Sequence, residues 1–386
     1  MAEPSTKVGA RKGGLRRALL LLALLHCVTV TGADAPPQAD PFQLRLDRVT
    51  DGIYVAIRPE STRQPVMGNG TVIVNDDHVV VVDGNGSPLL ADRLIAEIRA
   101  VTDLPVRYLV VTHWHGDHNL GSHRYLEAWP ELEIISHRFA REAMLGAPMD
   151  YVEEYKVAIP EQMKLLAERL ESGVGADGAP LADYQLRELE DLVQHADVFL
   201  QEVQASRVTP PTLTFEQELV LRGGGRSIEI RHPGKGNTAG DAYVWLPQER
   251  ILITGDLVVH PTPYGFYSYP SSWAAVLDGL QALRPALVIP GHGEVMRDTR
   301  YLAQLQALMS DLADQAQAAV ASGQSLEAFR QAVDFEAHRT GFTGDDPFLD
   351  SRWRAWFTGP IVEAAWNEAA GIDNEPLVKK AEAQPN

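Results

Sequence analysis

A chain of 386 residues with 45% hydrophobic and 22% charged side chains has the composition of a globular protein with a sizeable core. Its formal net charge of −18 argues against a nucleic-acid partner, because phosphate binding needs a basic face. Length alone permits one large domain or two ordinary ones.

The N-terminus carries Arg11, Lys12, Arg16 and Arg17, then an apolar run over 18–25 that weakens towards Val30. Small residues follow at Gly32, Ala33 and Ala35, before Pro36 and Pro37. A basic region, a short apolar stretch and a small-residue zone are the pattern of a secretory signal peptide, here residues 1–33 with the cut after Ala33. The mature chain is then expected in the periplasm or outside the cell, the alternative being an uncleaved membrane anchor. The run is short for a membrane span, and no later stretch reaches about 18 apolar residues, so the mature chain has no span. Cys27, the one cysteine, leaves with the leader. Metal ligands in the mature chain must therefore be His, Asp, Glu or Asn.

After a linker over 34–41, residues 53–57, 71–74 and 78–82 read as β-branched strands, the last two joined by the turn Asn75-Asp76-Asp77. Leu90, Leu94, Ile95 and Ile98 give 89–100 helical spacing, and 106–112 is a buried strand that delivers His113 at its end. From about 138 to 204 the pattern is helical. One helix is read over 160–170, and Leu186, Leu189, Val193, Ala196 and Leu200 trace a second apolar face. Strands return over 218–221, 227–231, 242–246 and 251–254. A helix over 276–283 and a strand over 286–290 then lead to His292. Beyond about 300 a helical extension carries Leu302, Leu305, Met309 and Leu312, with a polar tail after 371. The fold class is α/β: one domain over 41–300 with a helical insertion, then a C-terminal extension over 301–386.

The chemistry concentrates in Thr112-His113-Trp114-His115-Gly116-Asp117-His118. Strand alternation sends His113 and His115 to one side, and a turn at Gly116 brings Asp117 and His118 round. Imidazole and carboxylate are what zinc takes in a thiol-free site.

This segment resembles the H-x-H-x-D-H motif of the metallo-β-lactamase superfamily, and the resemblance runs from about 50 to 300. Three landmarks follow in the family's order. Gly234-Lys235-Gly236-Asn237-Thr238-Ala239-Gly240-Asp241 looks like the G-x-x-H-T-x-G-D turn, Gly255-Asp256-Leu257 like the bridging-aspartate segment, and Pro290-Gly291-His292-Gly293 like the last ligand loop. The resemblance implies an αββα sandwich with metals at one edge. It implies His113 and His115 on a first metal, Asp117, His118 and His292 on a second, and Asp256 between them. One fold hosts many chemistries, so the substrate does not follow from it.

Asn237 stands where that pattern has the first metal's third histidine. A carboxamide oxygen is a weaker donor than imidazole, so the second site is expected to be the tighter one, and Asn237 to be a weak ligand or a water holder. One zinc or two, with manganese and iron still open, fits the set. The implied reaction is hydrolysis of an ester, lactone, amide or β-lactam bond in a small molecule. A bound metal lowers the pKa of its water from about 15.7 to near 7, and Asp117 orients that water as the catalytic carboxylate. Two rivals stand beside it: a degenerate member that binds metal or ligand without turnover, and a single-iron oxidoreductase, disfavoured by the missing histidine.

Asp83 ends its own strand and is either an acceptor for a ligand histidine or a turn residue. His260, Tyr264 and Tyr267 lie on a proline-containing loop after Asp256 and are candidate substrate contacts. Lys235 is a solvated loop lysine or a partner for a substrate carboxylate. Trp114 is expected to pack under the metal loop, and His137, His195, His232 and His338 are expected to be structural or supporting. Oligomeric state does not follow from the sequence.

Overall fold

The computed structural model describes residues 42–58, 67–176, 178–181, 183–223 and 225–375. The expected leader, Cys27 and the last part of the tail lie outside the described residues.

Two sheets stack face to face. The first holds seven strands in chain order, β1 (Arg45–Thr50), β2 (Ile53–Ile57), β3 (Gly70–Val74), β4 (Val79–Val82), β5 (Val106–Val110), β6 (Glu133–His137) and β7 (Leu213–Phe215). Its first four strands form antiparallel pairs, and β4 to β7 run parallel. The second sheet is ordered β12–β11–β10–β9–β8, from β8 (Glu218–Gly223), β9 (Arg226–Arg231), β10 (Tyr243–Leu246), β11 (Ile251–Ile253) and β12 (Leu287–Ile289).

Side-chain alternation builds the layers. In β4, Val80 and Val82 point between the sheets, where they meet Ile228, Ile230, Val244 and Ile253 of the second sheet. Val79 and Val81 point outwards, into a layer with Leu94 and Ile98 of helix α1 (Pro88–Val101). Ser87 caps that helix, its hydroxyl accepting from the Leu90 amide at 3.2 Å. On the far side Trp245, Leu252 and Val288 pack under Trp273 and Leu277 of the helix Pro270–Ala282, and under Leu305 and Met309 of the helix Arg300–Ala321. The result is an αββα sandwich with a helical C-terminal extension on its outer layer.

Between β6 and β7 the chain is helical, and one expectation there is corrected. Pro160 does not open a helix: it sits inside the helix Tyr151–Ser172. Proline removes the N–H that would bond the carbonyl four residues back, that of Lys156. Gln204, on the neighbouring helix Ala196–Ala205, donates to that carbonyl at 2.7 Å and takes the lost donor's place. The apolar face read over 186–200 is likewise two helices, Asp183–Gln194 and Ala196–Ala205, divided at His195.

Among the described residues, no helix is long and apolar enough to cross a membrane.

Candidate metal centre

Strand β5 ends at Val110, and residues 111–118 follow from its C-terminal end. The turn Gly116–Asn119 is held by Asn119, whose Nδ2 donates to the carbonyls of Trp114 (2.9 Å) and His115 (2.6 Å). From the second sheet, β11 ends just before Asp256 and β12 just before His292. Gly291 is required by the approach of these two loops, because a Cβ there would collide with Asp256 Oδ1. Asn69, beside β3, clips the last loop down by donating to the carbonyls of Pro290 (3.0 Å) and Gly293 (2.8 Å).

These loops assemble two groups of donors, Asp117, His118, Asp256 and His292 in one and His113, His115 and Asp256 in the other. Within each group the donor atoms lie inside 4.8 Å of one another. Asp256 belongs to both and faces them with different oxygens. Oδ1 is 3.1 Å from His118 Nε2 and 3.4 Å from His292 Nε2, while Oδ2 is 3.7 Å from His113 Nε2. Asp117 Oδ2 sits 3.0 Å from His292 Nε2 and 3.3 Å from His118 Nε2.

The unsatisfied atoms are those a cation would need. His113 Nε2, His115 Nε2, Asp117 Oδ2, both Asp256 oxygens and both polar atoms of Asn237 are buried without a hydrogen-bond partner among the described residues. Such orphans are costly unless something else satisfies them. The residues present therefore fit a metal. Asn237 itself is fully buried in the turn after Gly236.

Charge divides the cluster into halves. Burial, reinforced by the nearby His118, holds His113 well below the ordinary histidine value, and burial also lowers His115. Both are neutral, with lone pairs free for a cation. Burial acts the same way on His118 and His292, but the surrounding carboxylates outweigh it. Asp256, Asp117 and Asp83 lift His118 well above its usual value, and Asp256 with Asp117 lifts His292 to about 9. In the metal-free protein protons thus occupy the second half, and a cation binding there must displace them.

Asp83 meets this half directly. Its Oδ2 is 2.9 Å from His118 Nδ1, and its carboxylate also accepts from the Thr112 amide and hydroxyl, both at 2.9 Å. This orients the His118 ring so that Nε2 faces the cluster. Changing Asp83 to Ala is expected to weaken metal retention by about 10- to 100-fold, the usual cost of losing such a partner. Chelator competition followed by elemental analysis measures it.

Of the candidate substrate contacts, the Tyr264 ring stands 5.1 Å from that of His292, and the Tyr267 ring 6.4 Å from that of His115. The His260 ring packs edge-on against Tyr301 at 4.9 Å. The Lys235 ammonium lies over Tyr269 at 4.3 Å, with Asp373 3.8 Å away. His137 and His232 stack on each other at 3.9 Å, and His232 Nδ1 donates to the Asp241 carbonyl. His195 donates to the Asp191 carbonyl, and His338 meets Asp311 at 3.0 Å. Four residues near the site went unread in the sequence. Asn69 and Asn119 are single asparagines without a pattern, although Asn119 directly follows the motif. Tyr151, whose hydroxyl accepts from the Gly116 amide, and Glu375, which accepts from the Trp114 indole, lie in segments that read as plain helix and polar tail.

The sequence model of the metallo-beta-lactamase superfamily matches residues 63–292, more than half of the chain. The chain belongs to this superfamily. It is 22% identical to a linear primary-alkylsulfatase of Pseudomonas sp. (strain ATCC 19151) over 283 residues, 70% of this chain and 50% of that protein. It is 25% identical to a type 2 metallo-beta-lactamase of Bacillus sp. (strain 170), over 60% of this chain and 69% of that one. Among solved structures, the stereoselective inverting sec-alkylsulfatase Pisa1 from Pseudomonas sp. shares the fold at 16% identity and a TM-score of 0.57, over 86% of this chain and 51% of its own. The chain thus spans about half the length of these alkylsulfatase relatives.

In this superfamily member the turn after Asn237 is fixed by Asp241, whose carboxylate accepts from the Thr238 amide (2.9 Å) and hydroxyl (2.7 Å). Burial pushes Asp241 up to about 7. The unfolded chain releases this proton near pH 4, whereas the native protein keeps it to about 7. Native protein binds more protons in that window, so this group's contribution to stability falls as pH rises through it and is level above. Asp241→Asn removes the titration, and the Thr238 hydroxyl can rotate to accept from the new amide. Relative to wild type, the metal-free variant is expected to gain stability between pH 4 and 7, by on the order of a few kcal/mol. Denaturant melts at a series of pH values test this; a constant difference would contradict it.

Proposed function

We propose that this chain is an exported zinc hydrolase that cleaves an ester, lactone, amide or β-lactam bond of a small molecule. The observation that carries the reading is Asp256, a buried carboxylate with one oxygen towards each of two donor groups. His113 and His115 would hold one ion, and Asp117, His118 and His292 the other. A bound zinc supplies Lewis acidity and a hydroxide nucleophile at neutral pH.

The chain's own residues do the rest. Asp83 fixes His118, and Asn119 and Asn69 hold the loops that carry the other donors. Asp117 is the most open carboxylate of the cluster, its side chain 17% exposed against 1% for Asp256. In this reading Asp117 orients an attacking water and passes on its proton. Tyr264 and Tyr267 give an incoming substrate aromatic walls beside His292 and His115.

The similarity to a linear primary-alkylsulfatase over 70% of the chain adds sulfate esters to the bonds worth testing. Metal analysis of purified protein alongside hydrolysis of lactam, lactone, thioester, phosphodiester and alkyl sulfate substrates is the test. Metal-loaded protein that turns over none of them favours the second reading, a metal- or ligand-binding member without catalysis, which Asn237 motivates. Export is checked separately. N-terminal sequencing of protein from its native host is expected to start near Asp34, and a start at Met1 would sink that part.

A further inference from the structure

Residues 372–375 reach two of the loops that carry the metal-centre residues. After the helix Gly359–Ala369, Gly371 takes a left-handed conformation (φ 71°) and turns the chain back. Asn374 then donates to the carbonyls of Ser268 (2.8 Å) and Ala364 (2.9 Å), and Asp373 accepts from the Tyr269 hydroxyl at 2.6 Å. These bonds deliver Glu375 to a position where it is only 3% exposed. One of its oxygens accepts from the Trp114 indole at 2.5 Å, and the other from the Ala239 amide. Trp114 stands between His113 and His115, its ring edge-on to His115 at 4.5 Å. Ala239 is two residues past Asn237. One buried carboxylate therefore ties together the two loops that bear the first-site donors.

We propose that Glu375 is a positioning residue, and that residues 372–375 complete the metal centre by locking the His113–His115 segment to the Asn237 turn. The first donor group has two histidines and a shared aspartate, so its affinity depends on how firmly those donors are held. A buried carboxyl group with two N–H donors and no cation partner among the described residues is a costly arrangement to keep. Burial pushes Glu375 up to about 8. Joining the loops is the return on that cost. The inference rests on the ligand residues assigned above and not on the bond that is hydrolysed.

The experiment compares wild type with Glu375→Ala, Glu375→Gln, a chain ending at Gly371, and Glu368→Gln. Glu368 anchors the same helix to Ser271 and Ser272 and touches neither loop, so its variant reports purely structural loss. In metal-free protein, hydrogen exchange at the Trp114 indole and the Ala239 amide is expected to be slow in wild type. It is expected to speed up by about tenfold or more in Glu375→Ala and in the shortened chain. Zinc titration is expected to show about 10- to 100-fold weaker binding in those two. Glu375→Gln keeps one acceptor and falls between, which also covers the case of an alanine variant that fails to fold. Glu368→Gln melts earlier with wild-type zinc affinity.

Unchanged zinc affinity in Glu375→Ala, with or without faster exchange, overturns the proposal. So does an equal loss of zinc in Glu368→Gln. Wild type that binds zinc but hydrolyses nothing would refute the hydrolase reading alone.

Discussion

Replacing Asp117 with alanine is expected to lower turnover of whichever substrate responds by about 100- to 10,000-fold, the range spanned by positioned acid–base groups. It is also expected to reduce bound metal. Asp117 Oδ2 lies within 3.3 Å of both His118 and His292, so its removal strips a donor from that group. It also leaves His118 and His292 with one carboxylate fewer to balance. The fold should survive, because the neighbouring layers are apolar and the loop is independently held by Asn119 and Tyr151. Circular dichroism, elemental analysis and kinetics on one preparation separate the three effects. Normal turnover in a folded, metal-poor variant would contradict the role given to Asp117.

Asn237→His has the second large effect, and of opposite sign. Both polar atoms of Asn237 are buried and unsatisfied among the described residues, beside a turn whose other features match the superfamily pattern. An imidazole there would give the first group three histidines and a shared aspartate. Metal content should rise towards two ions per chain, with slower loss to a chelator, since zinc sites with three protein ligands hold their ion well. If Asn237 is kept to hold water or substrate, the same variant gains metal and loses activity. Unchanged metal content would mean that position 237 does not face the centre.

The sandwich was legible because its strands are β-branched runs of the right length, and because four landmarks come in order. Val79–Val82 is the clearest case: four valines, buried on both faces. The edges were harder to read. β1 has only exposed and half-buried positions and no apolar stripe, and β7 is three residues long, so neither stands out from loop. Pro160 misled because proline usually opens a helix, and nothing in the local sequence announces that Gln204 will supply the missing donor. At the centre, the motif residues could be named in advance, since metal chemistry restricts both residue type and spacing. Their supports could not. Asn69 and Glu375 act across more than 130 positions, and such partnerships leave no local pattern.

Asp117 and His118 follow a strand of the first sheet, whereas Asp256 and His292 follow strands of the second. His118 and His292 are 174 positions apart and face each other at 3.2 Å. An ion held between them is therefore a cross-link, closing a long loop of chain much as a disulfide would in a protein that had cysteines to spare. Its strength is set by the surroundings: free metal at 100 times the dissociation constant adds about 2.7 kcal/mol to stability, and metal scarcity takes it away. The separation of the two sheets at this edge is thus tied to the metal supply of whatever compartment the chain occupies.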